Sequence, residues 1–318
     1  MLTALLPAKI LHILCAVCTP VLCAVLLRLF ENKLPRDQGR EFAVDGEKSR
    51  GKVRGAGIVF VCSFILCALL FVPVTLEYGI YYVLLFLGML SGYLDDRSEK
   101  PWGEYKKGAI DLLISVATSV TFLFYNPDLL RISLFGKAFS VHPVVFAVLG
   151  AVLVWMLINA VNCTDGIDGF CTSLSSVSFL SVAGVIFICG GDRRMLTLVA
   201  LLILTLLPYL WKNAEPSTML MGDAGSRALG LFMSILVMKT GNMLLVIPLC
   251  FMICLDGLIG IAKVSLIRFL HMKNALKNIR TPLHDHFRKN KGWSNTQVIF
   301  RYCMIQAVIS AVTLLLLR

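Results

Sequence analysis

Long apolar segments dominate the chain, and the short loops between them carry most of its polar residues. Several segments approach or exceed the ~20 residues that an α-helix needs to cross ~30 Å of hydrocarbon. Ten spans are predicted, and in chain order they are 8–30, 55–76, 78–94, 108–125, 141–160, 170–190, 195–211, 226–240, 243–272 and 296–317. The pattern predicts an all-α, polytopic membrane protein with about ten transmembrane helices. It excludes a β-barrel, whose strands would give short alternating segments.

The composition agrees with this class, since 58% of the 318 residues are hydrophobic and only 15% are charged. The first apolar segment lacks the small-residue cleavage site of a signal peptide, and no internal repeat or low-complexity tract is evident. We therefore expect residues 1–318 to form a single integral membrane domain. The eleven cysteines fall mostly within spans, where they serve as small apolar residues.

The net charge of +11 comes from 30 basic and 19 acidic residues, and the basic residues are unevenly distributed. They concentrate in the loops that follow the odd-numbered spans, above all the first, third and ninth. By the positive-inside rule these loops face the cytoplasm, and both termini are extracytoplasmic. Membrane topology thus explains the basic character, and the sequence gives no reason to expect a nucleic-acid partner.

The same loops contain five carboxylates in short polar motifs. They are Asp95, Asp96, Asp165, Asp168 and Asp223. Such a group would repel itself unless a cation were bound, and oxygen ligands favour Mg²⁺ or Mn²⁺. A divalent cation would offset the charge that develops in phosphoryl transfer. Glycines beside these carboxylates would let backbone N–H groups approach phosphates closely.

Each motif also has a simpler interpretation. An Asp-Asp pair at a helix end is commonly just solvated, and Asp223 or Ser226 could cap the helix that follows. Carboxylates and an amine within spans could instead belong to the ion path of a transporter. These residues are Asp111, Asp256 and Lys263. The functional interpretation therefore depends on the motifs occurring together.

Four motifs resemble those of the polyprenyl-phosphate N-acetylhexosamine-1-phosphate transferase superfamily. They are GYLDD (92–96), NAVNCTDGIDG (159–169), MGDAGS (221–226) and PLHDHFRKNKGW (282–293). The last is most similar to the phospho-N-acetylmuramoyl-pentapeptide transferase branch. The resemblance implies transfer of phospho-MurNAc-pentapeptide from UDP-MurNAc-pentapeptide to undecaprenyl phosphate, giving lipid I and UMP. It also implies Mg²⁺ as cofactor and a place in the bacterial cytoplasmic membrane, and a homodimer is compatible with it.

The resemblance assigns roles to individual residues. It implies that the catalytic residues are Asp95, Asp96, Asp223 and His284, with Asp223 as the metal ligand. It implies that the substrate-binding residues are Lys48, Lys107, Asn162, Asp165, Gly166, Ile167, Asp168, Asn213, Leu220 and His286. Two reaction routes stay open, namely direct attack by the lipid phosphate positioned or deprotonated by Asp95, and a two-step route with Asp96 as nucleophile.

The chain departs from the family pattern in four places, one of which is a short loop between Asp96 and Lys107. Asp285 replaces the middle residue of a three-histidine motif, and Leu220 replaces an aromatic residue that would stack on uracil. The usual Thr-Pro-Thr-Met-Gly-Gly after the first span reads Lys-Val-Arg-Gly-Ala-Gly at 52–57. These changes leave a UDP-GlcNAc donor open as an alternative, and a nucleotide-sugar transporter is the alternative from a different class.

The ninth predicted span, 243–272, is too long for an upright helix at ~1.5 Å per residue. It contains Pro248, Gly257 and Gly260, which can relax helical hydrogen bonding. We therefore expect this span to tilt strongly or to break near Asp256-Gly257. An opening there would give a polyprenyl chain a groove toward Asp95.

Overall fold

Helices form almost all the regular structure of the computed structural model, which describes residues 7–39, 49–98, 100, 102–134, 137–268, 270–272, 274 and 276–318. The first six helices are α1 (Ala8–Phe30), α2 (Gly57–Phe71), α3 (Leu76–Arg97), α4 (Glu104–Tyr125), α5 (Pro143–Thr164) and α6 (Phe170–Ile188). The next six are α7 (Arg193–Asn213), α8 (Gly222–Lys239), α9 (Val246–Leu249), α10 (Phe251–Arg268), α11 (Leu283–Lys291) and α12 (Asn295–Leu317). A hairpin of antiparallel strands β1 (Arg131–Leu134) and β2 (Lys137–Ser140), which the sequence analysis did not predict, connects α4 to α5.

A helix lies at each of the ten predicted spans, and the all-α polytopic class is confirmed. By length and composition, seven helices in the described residues can cross a membrane, or eight if Met243–Leu249 and Phe251–Arg268 form one bent span. Helix α2 is not among them because it has only 15 residues. Helix α8 is not among them because it carries three charged side chains. The orientation of the termini stays a prediction.

Outer helices expose apolar side chains, whereas α8 is enclosed by protein. On α1, Ile13, Val17 and Val21 are each more than half exposed. Such a continuous apolar face suits lipid and would be unfavourable in water. By contrast, every residue of α8 is buried, and α2, α3, α4, α5 and α6 pack around it.

The last turn of α8 carries a buried charge that is fully partnered. The Lys239 ammonium lies 2.8 Å from the Glu77 carboxylate and donates to the Asn126 side-chain oxygen at 2.8 Å. Asn126 and Tyr81 both donate to the same Glu77 oxygen, at 2.7 and 3.0 Å. Because a buried charge without partners is costly, this network fixes the ends of α3, α4 and α8 relative to one another.

The first turn of α8 lies directly on the backbones of α2 and α3. A Cβ added to Gly92 of α3 would overlap the backbone at Asp223, and one added to Gly57 of α2 would overlap the backbone at Gly225. Only glycine permits so close an approach. The position of Asp223 is therefore set by main-chain packing against two neighbouring helices.

The ninth predicted span does break, but not where the sequence analysis placed the break. Its two parts, Met243–Leu249 and Phe251–Arg268, meet at an angle of 97°. The helix is interrupted at Cys250, directly after the turn that contains Pro248, whereas Asp256 and Gly257 lie inside continuous α10. Since proline removes a backbone donor and glycine only weakens helical preference, Pro248 was the better indicator.

Gly257 has a different role from the one expected. A Cβ at this position would lie 2.6 Å from the Ala160 Cα and carbonyl oxygen of α5. Its small size therefore allows α5 and α10 to pack closely, as small residues commonly do between membrane helices. A bulky residue here would separate the two helices, so it is not a clean probe of lipid binding.

One side chain of α12 satisfies the backbone groups that the break leaves without helical partners. The Gln306 amide donates to the carbonyl oxygens of Pro248 and Leu249 at 2.9 and 3.0 Å. Its own oxygen accepts from the Met252 N–H at 3.0 Å. Gln306 is completely buried, so water does not provide these bonds. An interrupted helix at membrane depth is tolerated only where neighbouring groups satisfy it in this way.

We predict that Gln306→Leu destabilises the protein strongly, because three backbone groups at the break lose their partner and the two buried ones each cost about 1–3 kcal/mol. Thr313→Val is the matched control, since this hydroxyl bonds only to Ile309 of its own helix. Thermal unfolding in detergent should show a large decrease in Tm for Gln306→Leu and little change for Thr313→Val. Equal Tm values for the two variants would contradict this explanation of the break.

Candidate active site

The loops predicted to share one side of the membrane meet at one end of the helix bundle. In the loop after α1, Val53 hydrogen bonds through its backbone to Leu220 (2.7 Å) and Thr218 (3.2 Å) of the loop after α7. Its neighbour Lys52 contacts the Asp168 carboxylate of the loop after α5 at 2.9 Å. The polar motifs of three separate loops are thereby held together.

Three of the predicted catalytic carboxylates lie where α3 ends and α8 begins. The Lys107 ammonium of α4 forms an ion pair with Asp95 and lies 3.4 Å from an Asp223 oxygen. Asp95 also accepts from the Trp102 backbone N–H at 2.7 Å. Asp96 accepts from the Ala224 N–H in the first turn of α8 at 3.2 Å. The structure thus brings together Asp95, Asp96, Asp223 and Lys107, whereas Asp168 pairs with Lys52, and the catalytic and substrate-binding roles of these residues stay predictions.

Two arginines that the sequence analysis did not select complete this cluster. The Arg54 guanidinium donates to Asp96 at 2.9 Å and to Asp37 at 3.0 Å, and lies 3.9 Å from Asp223. Burial acts to lower the pKa of Arg54, but the nearby Asp96 and Asp223 carboxylates outweigh this effect and raise it. The guanidinium is therefore charged at every physiological pH.

The second arginine, Arg227, lies one turn into α8 and is almost completely buried. It contacts Asp111 of α4 at 2.7 Å and Asp223 at 3.6 Å. We use the term acidic cluster for Asp37, Asp95, Asp96, Asp111 and Asp223. Among the described residues that contact it, Arg54, Lys107 and Arg227 provide three positive charges against five negative ones. These cations offset much of the repulsion within the acidic cluster, which shares only Asp95, Asp96 and Asp223 with the five carboxylates for which the sequence analysis expected a metal.

The loop after α5 is fixed from two sides. Asn162 donates to the Ser226 hydroxyl of α8 at 2.9 Å. Asp168 accepts from the Ser217 N–H at 3.0 Å in addition to its contact with Lys52. Asn213 is buried, accepts from the Gly169 N–H at 3.0 Å and donates to the Met219 carbonyl oxygen at 2.9 Å. Asp168 and Asn213 therefore hold the loop in place, and their predicted substrate contacts stay predictions.

His284 reaches the same loop from α11. Its Nδ1 lies 2.7 Å from one oxygen of Asp256, and its backbone N–H donates to the other oxygen at 2.7 Å. Both side chains are almost completely inaccessible to solvent. The opposite ring nitrogen, Nε2, faces Gly166, where an added Cβ would lie only 2.5 Å away. Asp256 therefore fixes the ring so that Nε2 points at the Asp165-Gly166 turn.

The remaining predicted site residues are placed as follows. His286 accepts from the Arg280 N–H at 3.3 Å, Leu220 pairs with Val53 through its backbone, and Ile167 is buried. Lys48 lies outside the described residues. Among the residues that the sequence analysis left out of the site, Asp256 had a usable signal, because a carboxylate within an apolar helix requires a partner.

Comparison with known proteins gives consistent results. Residues 78–241, which include Asp95, Lys107 and Asp223, match the glycosyl transferase family 4 model. The chain is 38% identical over 295 residues to a phospho-N-acetylmuramoyl-pentapeptide-transferase of Treponema pallidum (strain Nichols), covering 87% of this chain and 81% of the relative. Proteins of the same name from Wolbachia sp. subsp. Brugia malayi (strain TRS) and from a Nitratiruptor species are 29% and 28% identical to this chain. These matches cover 81% and 82% of this chain, and 82% and 80% of the relatives' own lengths.

We predict that the buried Arg227–Asp111 pair and the exposed Arg268–Glu104 pair differ sharply in their contribution to stability. Arg227→Gln leaves Asp111 charged and buried, which costs about 3–5 kcal/mol, whereas the double variant Arg227→Met with Asp111→Leu recovers most of that loss. Glu104→Gln should cost less than about 1 kcal/mol, because Arg268 and Glu104 are 48% and 76% exposed. Thermal unfolding of the four proteins checks the order, and a double variant no more stable than Arg227→Gln would contradict it.

Proposed function

Because this chain belongs to glycosyl transferase family 4, we propose that it transfers phospho-MurNAc-pentapeptide from UDP-MurNAc-pentapeptide to undecaprenyl phosphate, giving lipid I and UMP. The observation that carries the proposal is the 38% identity to a protein named for this transfer, over 87% of the chain. The matched region contains the acid-rich ends of α3 and α8 that the structure brings together. The reaction takes place at the bacterial cytoplasmic membrane, which the polytopic fold suits.

Magnesium is the cofactor that fits this chemistry. No group of three or more His, Cys, Asp or Glu side chains in the described part of the chain is arranged to hold a metal by itself. Mg²⁺ does not require such a group, since it commonly takes one or two carboxylates and completes its coordination with water and substrate phosphates. Among the described residues the acidic cluster has two more carboxylates than cations, and this excess favours a divalent cation, with Asp223 as its ligand. When bound, it neutralises charge on the diphosphate.

Lys107 is suited to bring the two substrates together. Its ammonium lies between Asp95 and Asp223, and its side chain is 27% exposed, so incoming phosphate oxygens can reach it. A lipid phosphate held by Lys107 lies beside Asp95, which accepts its proton or fixes its orientation. The phosphate oxygen then attacks the β-phosphorus, and the bond to UMP breaks.

The surroundings of Asp96 favour this direct route over one with a covalent intermediate. The Asp96 side chain has no exposed surface and is held by Arg54 and by the Ala224 N–H. To act as a nucleophile it would have to leave both partners and reach the diphosphate. Asp96 is better suited to fix Arg54 and the first turn of α8.

His284 contributes from the other side of the loop after α5. With Nδ1 fixed by Asp256, its Nε2 is directed at the Asp165-Gly166 turn. The side chain is only 2% exposed, so this turn has to shift before Nε2 can donate a hydrogen bond to a phosphate oxygen. Asp256 contacts the side of the ring that points away from this turn. It therefore acts as a positioning residue for His284.

The proposal is tested by incubating the purified protein with Mg²⁺, undecaprenyl phosphate and either UDP-MurNAc-pentapeptide or UDP-GlcNAc. We expect UMP release and a lipid-linked product with UDP-MurNAc-pentapeptide alone. Omitting undecaprenyl phosphate controls for hydrolysis of the nucleotide sugar. UMP release from UDP-GlcNAc only would replace this function by the alternative donor specificity, and no release from either would refute both.

We predict that Asp223→Asn lowers kcat by about a hundredfold or more, because the metal contributes several kcal/mol to transition-state stabilisation. The substitution adds no bulk, and the protein should stay folded. Asp128→Asn is the control, since this exposed carboxylate directly precedes the hairpin at the opposite end of the bundle. Near-normal UMP release by Asp223→Asn at ordinary Mg²⁺ would show that another residue binds the metal.

We also predict that His284→Ala and Asp256→Asn both lower kcat, the latter by about 10- to 100-fold, as when the carboxylate behind a functional histidine is lost. Asp285→Asn should have a much smaller effect, because its carboxylate lies 3.2 Å from Arg288 and 3.6 Å from His284 Nε2 without fixing the ring. Asp256→Glu should recover part of the rate. A larger loss for Asp285→Asn than for His284→Ala would overturn these roles.

A further inference from the structure

Arg54 is the one described cation that contacts Asp37, Asp96 and Asp223 together. Its Nε donates to Asp96 at 2.9 Å, its Nη1 donates to Asp37 at 3.0 Å, and its Nη2 lies 3.9 Å from Asp223. The side chain is only 17% exposed, and those of Asp37 and Asp96 are 4% and 0% exposed. These contacts are therefore shielded from water and strong.

The backbone around Arg54 keeps the guanidinium in this position. The Arg54 N–H donates to the Pro35 carbonyl oxygen at 2.8 Å. On either side, Val53 and Ala56 are bonded to the loop after α7 by contacts of 2.7–3.2 Å. Because the loop is fixed at both ends, Arg54 is a built-in part of the acidic cluster and not a surface side chain that reaches it by chance.

A guanidinium and a divalent cation disfavour each other's binding at this position. Both are attracted to the Asp223 carboxylate, and their like charges repel each other strongly where water is scarce. A diphosphate changes this balance, because its oxygens can replace the Asp96 carboxylate as acceptors of the hydrogen bonds that the planar guanidinium group donates.

We propose that Arg54 competes with the divalent cation for the acidic cluster, and that the diphosphate of the nucleotide sugar relieves this competition by taking up the guanidinium. This inference rests on the proposed function, since it assumes a metal and a diphosphate at the same site. Arg54 is then a positioning residue that makes metal and nucleotide bind together. Because such coupling is reciprocal, each ligand tightens the other by the same factor.

Binding of Mn²⁺, followed by electron paramagnetic resonance, tests the proposal without turnover. The protein is titrated in detergent with and without saturating UDP, and no polyprenyl phosphate is present. In the unchanged protein, UDP should lower the Kd for Mn²⁺ by roughly tenfold, a typical coupling factor. Arg54→Gln should bind Mn²⁺ more tightly than the unchanged protein when UDP is absent. UDP should then tighten binding by a clearly smaller factor, because only direct ligation of the metal by its phosphates is left.

Two further variants make the result specific. Arg36→Gln is the matched control, because within the described part of the chain the side chain of this exposed arginine donates to the Gly51 carbonyl oxygen and contacts no carboxylate of the acidic cluster. It should behave as the unchanged protein. Arg54→Lys keeps the charge but not the fork of donors, so it should retain only the part of the coupling that comes from charge repulsion. If Arg54→Gln does not fold, Arg54→Gln combined with Asp96→Asn removes both members of the buried pair, and it should bind Mn²⁺ more tightly than Asp96→Asn alone.

The proposal is wrong if removing the Arg54 charge leaves Mn²⁺ affinity unchanged or weakens it in the absence of UDP, or if the UDP effect persists at full size. This outcome is separate from failure of the proposed function, which UMP release by the unchanged protein decides. Transfer activity together with Mn²⁺ binding insensitive to Arg54 would refute only the inference. An absence of UMP release would refute the function whatever the Mn²⁺ data show.

Discussion

The complete burial of α8 is the constraint on which the rest of the structure depends. A helix enclosed by protein yet carrying Asp223, Arg227 and Lys239 must find a partner for each charge, because a buried unpaired charge would cost more than the fold can tolerate. The partners come from the surrounding helices. At one end Glu77 meets Lys239, and at the other Asp111 meets Arg227. These pairs set the positions of α3 and α4 along α8 and thereby align the polar ends of the three helices.

The same requirement produces the chemistry of the site. Asp223 is held by backbone packing against Gly92 while its charge is balanced by Lys107, Arg54 and Arg227. Cations that are already fixed before substrates arrive need little rearrangement when phosphate charge enters, which is the condition for effective electrostatic stabilisation. Among the described residues these cations are fewer than the carboxylates of the acidic cluster, and the proposed divalent cation would offset the difference. The ion pairs that stabilise the buried helix are therefore the same contacts that preorganise the site for catalysis.

The sequence was sufficient for features that depend on local pattern. Apolar length predicted the helices, short polar motifs predicted that Asp95, Asp96 and Asp223 would come together, and the family resemblance implied a place for Lys107 beside them. It was insufficient for features decided by distant partners. Nothing near Asp256 in the sequence indicates that its partner is a histidine 28 residues away, and Arg54 had been seen only as the loss of a family motif. Such contacts depend on how helices cross, which a single sequence does not reveal.

The broken helix shows how such a distant arrangement serves the site. Without the 97° bend, α10 would continue the direction of α9, and Asp256 would not lie beneath α11. Two residues on one face of α12 contact the two segments that the bend brings together. Gln306 satisfies the interrupted backbone, and Tyr302, one turn earlier, donates to Asp256 at 3.4 Å. Since Asp256 in turn fixes His284, the break does more than interrupt a long span. It orients the half-helix that carries the partner of the histidine, so the angle of α10 and the direction of the His284 ring are determined together.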